Sequence, residues 1–323
     1  MQRLRETLRS LPPFARAYVS YTRKLEAFVT DLHSVMTLSD LAAVSGLGWD
    51  SVKDIVMRRL EKDYAKPRLK DVRHLAIDEF YSGKTRKFYT IAIDLESGRI
   101  LWVARGRGGD SLTKFWRALR KAKAKVKAVA CDMSAAYWSA VLSNLPKADL
   151  VFDRFHLVKL VNEKLDELRR ALVREAVGPL KKSIKGTRYL LLTRKDRLKE
   201  EQLPRLEAAL RDNEPLLKGY LLKEALCELW NQPDIQSARR CFQQWLQMAQ
   251  DTGIALLQRL AMTFRGYTEG ILAWWKHRIS SGRMEGINNK IRTMQRKAYG
   301  LRDERYFILK LYSLHHSSLK LIG

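Results

Sequence analysis

The sequence predicts an α/β protein in which a mixed β-sheet is interrupted by a long all-helical stretch and preceded by helices. Three observations predict this class. Apolar residues recur at helical spacing over the first sixty-odd residues, residues 72–153 alternate between strand-like and helical patterns, and residues 154–276 contain only helical patterns. Three hairpin-like strands followed by helix, strand, helix and strand indicate a mixed sheet flanked by helices.

The N-terminal part contains two short helical patterns around a turn with Gly46 and Gly48. Thr37 and Asp40 resemble the start of a capping box ahead of the first pattern. This layout is typical of a helix-turn-helix, whose second helix can enter the major groove of DNA. The second helix is expected to expose the cations Lys53, Arg58, Arg59 and Lys62. An ordinary small helical bundle is the alternative interpretation.

The next segment, residues 65–71, carries a proline and four charges and is expected to form a linker. Strands are then predicted at Val72–Phe80, Lys87–Leu95, Arg99–Gly106, Val126–Asp132 and Ala148–Asp153. Helices are predicted at Asp110–Lys125 and from Ser134 to about Leu142, and glycines in the joints between the first strands suit hairpin turns.

The helical stretch from Arg154 to about Lys276 begins with one long amphipathic helix that ends before Gly178 and Pro179. Four further helices are predicted at roughly Arg197–Arg211, Glu214–Trp230, Asp234–Gln250 and Thr252–Trp275. We therefore expect four domains: helical DNA-binding residues 1–66, the first part of the sheet core at 67–158, a helical insertion at 159–276, and C-terminal core helices at 277–323.

The charge balance indicates the partner. Lys and Arg number 61 against 35 acidic residues, which gives a net charge of +26. This excess predicts a polyanionic partner, with nucleic acid favoured over an anionic membrane surface. No apolar run approaches the ~20 residues that a membrane-spanning helix needs, and no secretory signal is evident. The three cysteines form no CxxC pair, which fits a reducing cytoplasm and argues against a zinc site.

Three acidic residues stand out by their positions. Asp78 lies inside a predicted strand beside Glu79, Asp132 ends an apolar strand, and Glu285 lies at the start of a strongly basic helix. Acids at the ends of neighbouring strands, joined by one from a later helix, can converge on the hard cations Mg²⁺ and Mn²⁺. Helix capping, ion pairing and a favourable interaction with the helix dipole explain the same acids without a metal.

Several sequence blocks resemble those of a known family. They are AIDEF, ACDMSAAY, VFDRFHLVKLVNE, SGRMEGINNKIRTMQRKAYGLRDERYF and, upstream, GLGWDSV. These blocks look like those of bacterial insertion-sequence transposases of the ISL-three family, which is similar to the wider group of DDE transposases. The resemblance covers nearly the whole chain, and the last block is long and distinctive.

The resemblance implies an RNase H-like catalytic core interrupted by a helical insertion. It also implies a DNA transposase that performs Mg²⁺-dependent cleavage at transposon ends and joins the freed 3′-hydroxyls to target DNA. Asp78, Asp132 and Glu285 match the family's catalytic acids by position and would bind two Mg²⁺ ions, for which Mn²⁺ could substitute. We expect a chain without the cysteine-rich zinc-binding module that usually precedes the helix-turn-helix in this family.

The expected partners are double-stranded DNA, as the terminal inverted repeats of the element and as target DNA, and a second copy of the chain. Two ends must be brought together, so a homodimer or a larger assembly on DNA is expected. The expected location is the bacterial cytoplasm, in association with the nucleoid, without membrane attachment. A catalytically inactive relative that only binds DNA as a regulator, and a nuclease that cuts without joining, are the alternative functions.

Further candidate residues follow the last predicted strand and Glu285. Asp153 and His156 resemble a pair in several DDE groups, where His156 would contact the scissile phosphate; Asp153 could equally cap the helix, with His156 packed beneath it. Four residues could bind the phosphate backbone or simply form a solvated basic face. They are Asn288, Asn289, Lys290 and Arg292. Trp274 and Trp275 could stack on an unpaired base at a DNA end, and packing in the core is the favoured interpretation.

Overall fold

The computed structural model describes residues 13–83, 87–298, 301 and 303–314. Within these residues the strands are β1 (His74–Ser82), β2 (Lys87–Asp94), β3 (Ile100–Arg105), β4 (Ala128–Cys131) and β5 (Asp149–Phe152). They form one five-stranded sheet in the order β3-β2-β1-β4-β5. β2 and β3 are antiparallel, whereas β1 pairs with β4 and β4 with β5 in parallel. The predicted mixed sheet is therefore confirmed.

The helices among the described residues are numbered in chain order. They are α1 (Arg23–Leu32), α2 (Leu38–Ser45), α3 (Trp49–Tyr64), α4 (Thr113–Lys121), α5 (Ala135–Asn144), α6 (Arg154–Glu175), α7 (Gly178–Ile184), α8 (Arg188–Leu192), α9 (Leu203–Arg211), α10 (Glu214–Cys227), α11 (Ile235–Asp251), α12 (Ala255–Gly266), α13 (Thr268–Leu272), α14 (Trp274–His277), α15 (Gly282–Lys297) and α16 (Glu304–Ser313). Short 3-10 turns lie at Gly109–Leu112, Lys195–Arg197, Glu200–Gln202 and Glu228–Asn231.

The chain divides into two compact units. The first comprises residues 1–72, 78–125 and 282–323, and the second comprises residues 73–77 and 126–281. Strand β1 contributes residues to both units. Each unit therefore combines segments that are distant in the sequence.

In the first unit, the predicted helix pair α2 and α3 is present. Thr37 and Asp40 form the predicted capping box at the start of α2. Gly46 ends α2 with a φ of 70°, a left-handed conformation that glycine adopts at little cost. Apolar residues of α1, α2, α3 and α16 share one core. The buried residues of this core are Tyr21, Val29, Leu41, Val52, Ile55, Val56, Leu60, Tyr306 and Leu309.

In the second unit, the 22-residue helix α6 begins the helical stretch. Residues 153–281 are described without a gap and contain no strand, as the sequence predicts. Gly219 of α10 lets that helix approach α6 closely, because an added Cβ would lie 3.0 Å from Leu165. One core cluster of this unit contains Leu165, Ile184, Leu190, Leu191, Leu206, Leu210, Leu216 and Tyr220.

Two predicted helices differ from those in the structure. The helix predicted from Arg197 begins only at Leu203, which places Pro204 in the first turn, where its missing N–H costs nothing. The helix predicted over Thr252–Trp275 is instead the three helices α12, α13 and α14. The breaks bring Gly270 against Phe152 of β5.

Within the described part of the chain, no helix combines the length and apolar character needed to cross a membrane.

Candidate active site

Asp78 lies in β1 and is half-buried. Its Oδ1 accepts a hydrogen bond from the backbone N–H of Glu79 at 2.7 Å. Its Oδ2 accepts a hydrogen bond from Nδ2 of Asn288 at 2.8 Å. The carboxylate is therefore fixed by one local donor and by one donor 210 residues away in the sequence.

Asn288 belongs to α15, three residues after Glu285. One turn of helix separates the two residues, so they share one face. The Asn288 side chain is half-buried, and its Oδ1 is a buried acceptor without a hydrogen-bond partner among the described residues. A buried acceptor in this state retains the capacity to bind a proton donor or a cation.

Helix α15 is held to the rest of the first unit by apolar and polar contacts. Met284, Ile287 and Ile291 are buried and recur at helical spacing. Nη1 of Arg283 donates to the carbonyl of Glu96 at 2.6 Å, at the start of the helix. Further along, Nε2 of Gln295 donates to Oγ of Ser82 at 2.9 Å. These contacts fix the rotation of α15, which leaves Glu285 on the exposed side of its first turn.

The contacts of Glu79 explain why β1 carries two adjacent acidic residues. Its Oε1 accepts a hydrogen bond from the backbone N–H of Gly108 at 3.0 Å. Its Oε2 lies 3.6 Å from Nε of Arg107. Glu79 therefore holds the loop that follows β3, a structural role distinct from the one expected of Asp78.

Asp132 directly follows β4 and belongs to the second unit. It is half-buried, and its Oδ1 accepts a hydrogen bond from the backbone N–H of Ser134 at 3.2 Å. Ser134 precedes the first residue of α5. The side chain therefore shapes the turn between the strand and the helix while remaining partly accessible.

Asp153 caps α6, as one of the two interpretations of the sequence predicts. It is buried, and its Oδ1 accepts a hydrogen bond from the backbone N–H of Phe155 at 2.6 Å. Its Oδ2 accepts hydrogen bonds from the backbone N–H of Ser281 at 2.5 Å and from Oγ of Ser281 at 2.8 Å. Asp153 thus joins the start of α6 to the residue that directly precedes α15, a partner that sequence reasoning missed because it lies 128 positions away.

The remaining candidates of the second unit lie near the ends of its helical stretch. His156 is half-buried in the first turn of α6 and contacts the exposed ring of Phe155 edge-on. Trp275 is buried, and its Nε1 donates to the carbonyl of Gln232 at 3.1 Å, which confirms the core prediction for this residue. Trp274 is only half-buried, and the guanidinium of Arg278 lies 4.3 Å from its ring centroid.

Comparisons with known proteins decide the family. The family model of ISL-three DDE proteins, described as "Transposase", matches residues 75–311. A transposase for insertion sequence element IS1001 from Bordetella parapertussis is 34% identical over 298 residues, which cover 91% of this chain and 73% of that protein.

The chain belongs to the ISL-three family of insertion-sequence transposases.

A second relative, a transposase for insertion sequence element IS1557 from Mycobacterium tuberculosis, is 26% identical to this transposase. That match covers 92% of this chain and 72% of the relative. The Drosophila P element transposase strand transfer complex has a TM-score of 0.44 and 10% identity, over 93% of each chain.

The transposase carries oxygen ligands of the kind that Mg²⁺ prefers. The carboxylate oxygens of Asp78, Asp132 and Glu285 are of the ligand type that Mg²⁺ prefers, as is Oδ1 of Asn288, which has no hydrogen-bond partner among the described residues. Across residues 13–83, 87–298, 301 and 303–314, no group of three or more His, Cys, Asp or Glu side chains is arranged so that it could hold a metal ion. These residue types fit Mg²⁺, and the binding of the ion by these residues together stays a prediction.

The cations expected on α3 of the transposase are less free than the sequence suggests. Lys53 is only 26% exposed in its side chain, because its Nζ lies 2.8 Å from Oδ2 of Asp303. This hydrogen-bonded pair holds the pKa of the Asp303 carboxyl below its ordinary value. The expectation that Lys53 is exposed is therefore wrong, since the ion pair fastens α3 to the start of α16.

Arg58 and Arg59 are exposed, and both also have partners within the chain. Nη2 of Arg58 donates to the hydroxyl of Tyr21 at 2.5 Å. Nε of Arg59 donates to Asp63 at 2.6 Å. Lys62 is exposed as predicted. Contacts with DNA by either arginine would compete with these internal hydrogen bonds.

On α15, the side chains expected to bind DNA differ in their exposure to solvent. Asn289, Lys290 and Arg292 are exposed, in contrast to the half-buried Asn288. Nη1 of Arg292 donates to Oδ1 of Asn289 at 3.3 Å. The three exposed residues remain available for a phosphate backbone, whereas Asn288 serves Asp78.

Proposed function

We propose that this transposase binds the ends of its insertion sequence and catalyses Mg²⁺-dependent DNA strand cleavage and strand transfer. The observation that supports this most directly is the hydrogen bond between Asp78 and Asn288. It joins the strand that carries the first expected catalytic acid to the helix that carries the third, Glu285. A carboxylate held by a supporting amide is the usual arrangement of a ligand that must keep a fixed orientation.

Asp78, Asp132 and Glu285 would hold two Mg²⁺ ions, with Mn²⁺ as a substitute. When bound, such ions activate the attacking water or 3′-hydroxyl and stabilise the leaving oxygen of an in-line displacement at phosphorus. The amide of Asn288 orients the Asp78 carboxylate. Asp153 fixes the start of α6, and His156 in the same turn would contact the scissile phosphate.

DNA binding is assigned to polar and basic residues at two places. Asn289, Lys290 and Arg292 on α15 would bind the backbone of the strand being cut. In the N-terminal helix-turn-helix, Arg58 and Arg59 would bind the terminal inverted repeats. Lys53 would support this binding indirectly, because its ion pair with Asp303 holds α3 against the start of α16. Because many phosphates are neutralised, the affinity should fall steeply as salt is raised.

We further propose an RNase H-like core formed by residues 67–158 and 277–323, with the helical insertion at residues 159–276 between them. Two or more copies of the chain would assemble on one pair of ends. Target DNA enters the same assembly, and the protein would act at the nucleoid. The net charge of +26 supports a polyanionic partner of this kind.

The test is incubation of the protein with Mg²⁺ and labelled element-end DNA, followed by separation of the products. We expect joined products as well as nicks. Nicks without joined products would identify a nuclease, and binding without any cut would identify a DNA-binding regulator.

A matched pair of variants tests the site. Asp132→Asn should abolish cutting and leave DNA binding intact. Asp251→Asn, which changes an exposed aspartate at the end of α11, should leave both unchanged. Persistent cutting by the Asp132 variant would show that the site is assigned wrongly.

A further inference from the structure

We propose that a groove beside α15 binds unpaired nucleotides of a DNA strand, with bases stacked on its apolar floor and phosphates at its lysine rim. This inference rests on the proposed function. The α15 groove is a cavity of about 950 Å³ within the first unit. The residues that line the groove include Met36, Trp49, Lys53, Lys290, Met294 and Lys297.

The groove starts beside the third expected catalytic acid. Gly286, the residue after Glu285, lines it, as do Lys290, Thr293 and Lys297 further along α15. These positions recur at helical spacing and form one stripe. A Cβ added at Gly286 would meet no atom within 4 Å, so this end of the stripe is open. The groove is therefore accessible from the Glu285 end of α15.

The floor of the groove suits unpaired bases. Trp49 is 46% exposed at the first position of α3, and Nζ of Lys53 lies 5.6 Å from the centroid of its ring. Met36 and Met294 are half-buried and line the same groove. Thioethers adapt to flat ligands, and aromatic rings stack on the face of any base. In a duplex the base faces are covered by their neighbours, so this floor favours a single strand.

The rim carries two lysines outside salt bridges, and the charge of Lys297 also acts on the nearby carboxylate of Asp40. Lys53 and Asp303, which both line the groove, neutralise each other, and Asp40 is engaged in the cap of α2. Lys290 and Lys297 are exposed, and neither has an ion-pair partner among the described residues. Two available cations above an apolar floor complement a strand in which phosphates and bases alternate.

The volume of the groove agrees with this occupant. Roughly 300–1,000 Å³ is typical of pockets that enclose drug-sized ligands, and the α15 groove lies at the upper end of this range. It offers room for more than a single base.

The test is photocrosslinking of the full chain to element-end DNA that carries 5-iodouracil in a single-stranded tail. We expect crosslinks at Trp49, mapped by mass spectrometry. Trp49→Phe should keep them, because the ring is kept, and Trp49→Ala should lose them. In titrations, Trp49→Ala should bind the single-stranded tail about 5-fold or more weakly and bind blunt duplex as the parent does.

The lysines are tested by the salt dependence of binding. The double variant Lys290→Ala/Lys297→Ala should reduce the slope of log affinity against log salt by about 1.4 for single strands. Lys199→Ala changes an exposed lysine of the second unit and should leave the slope unchanged. Polyglutamate, which offers charge without bases, should not displace the tail.

Crosslinks that map only outside the groove, or a Trp49→Ala variant that binds the tail as the parent does, would overturn the inference. Equal displacement by polyglutamate would also overturn it. The proposed function is separable, because it depends on joined products: if these form while the crosslink at Trp49 is absent, the groove proposal fails and the transposase proposal stands.

Discussion

Asn288 of α15 donates its side-chain amide to Oδ2 of Asp78 in β1 at 2.8 Å. A carboxylate that must bind a cation needs a fixed orientation, and this hydrogen bond to the half-buried Asp78 supplies it. The contact makes Asn288 a positioning residue for Asp78, in place of the direct contact with DNA that its sequence position suggests.

Replacing Asn288 by alanine should slow strand cleavage about 10-fold or more, since Asp78 would lose the donor that α15 supplies to it. Cleavage of labelled element-end DNA under single-turnover conditions measures the effect. Asn231→Ala, which removes an exposed amide that bonds Glu228, is the control. A rate within two-fold of the parent would contradict the positioning role.

The variant Asn288→Asp separates positioning from a merely structural role. A second carboxylate beside Asp78 should raise the pKa values of the pair, because like charges disfavour the ionised forms. The pH–rate profile of cleavage should therefore shift to higher pH. An unshifted profile with a lowered rate throughout would assign Asn288 to folding alone.

A double-mutant cycle should detect a coupling energy between the side chains of Asp153 and Ser281. Ser281→Ala removes one hydrogen bond and should cost about 1 kcal/mol of unfolding free energy, whereas Asp153→Ala also removes the cap of α6 and should cost about 2–3 kcal/mol. Urea denaturation of the two single variants and the double variant gives the coupling energy. Strictly additive losses would show that the Ser281 hydroxyl does not interact with Asp153 in solution.

His33 should make the stability of the protein depend on pH. Burial and the positive charge of Lys310 lower the pKa of His33 to about 4, and its Nδ1 donates to the carbonyl of Thr30. The unfolded chain therefore binds a proton at higher pH than the folded chain does. The contribution of His33 to the free energy of unfolding is fully present above its pKa of about 6.5 in the unfolded chain. That contribution is lost as the pH falls from there towards 4.

Between pH 7 and pH 5 the contribution of His33 should amount to about 2 kcal/mol. His33→Gln removes the titrating group, so its unfolding free energy should fall less over the same interval. Thermal or urea denaturation at both pH values tests this. An equal pH dependence in the variant and the parent would show that other groups cause it.

Gly270 is expected to tolerate no side chain. An added Cβ would lie 2.3 Å from Cε2 of Phe152, so Gly270→Ala should destabilise the protein by about 1–3 kcal/mol. The control Gly266→Ala, where no atom lies within 4 Å, should be neutral or stabilising. Phe152→Leu should partly rescue Gly270→Ala, and a Gly270→Ala variant as stable as the parent would refute the close contact.

Local chemistry explains how much of the fold is predictable. The strand predicted at Lys87–Leu95 is β2 at Lys87–Asp94, and the capping box of Thr37 and Asp40 is present as expected. Both depend on neighbours in the sequence, on side-chain period and on turn residues. The predicted single helix over residues 252–275 is wrong because packing against Phe152 overrides the local pattern.

The sequence by itself determined the family, the excess of positive charge, the mixed sheet with its helical stretch, and the identity of the acids proposed for catalysis. Only the tertiary structure decided which distant residues the polar side chains contact. Asp78 contacts Asn288 across 210 positions and Asp153 contacts Ser281 across 128, while Lys53 forms an ion pair with Asp303. Such pairs form because packing brings distant segments together, and no local pattern of residues encodes that partner.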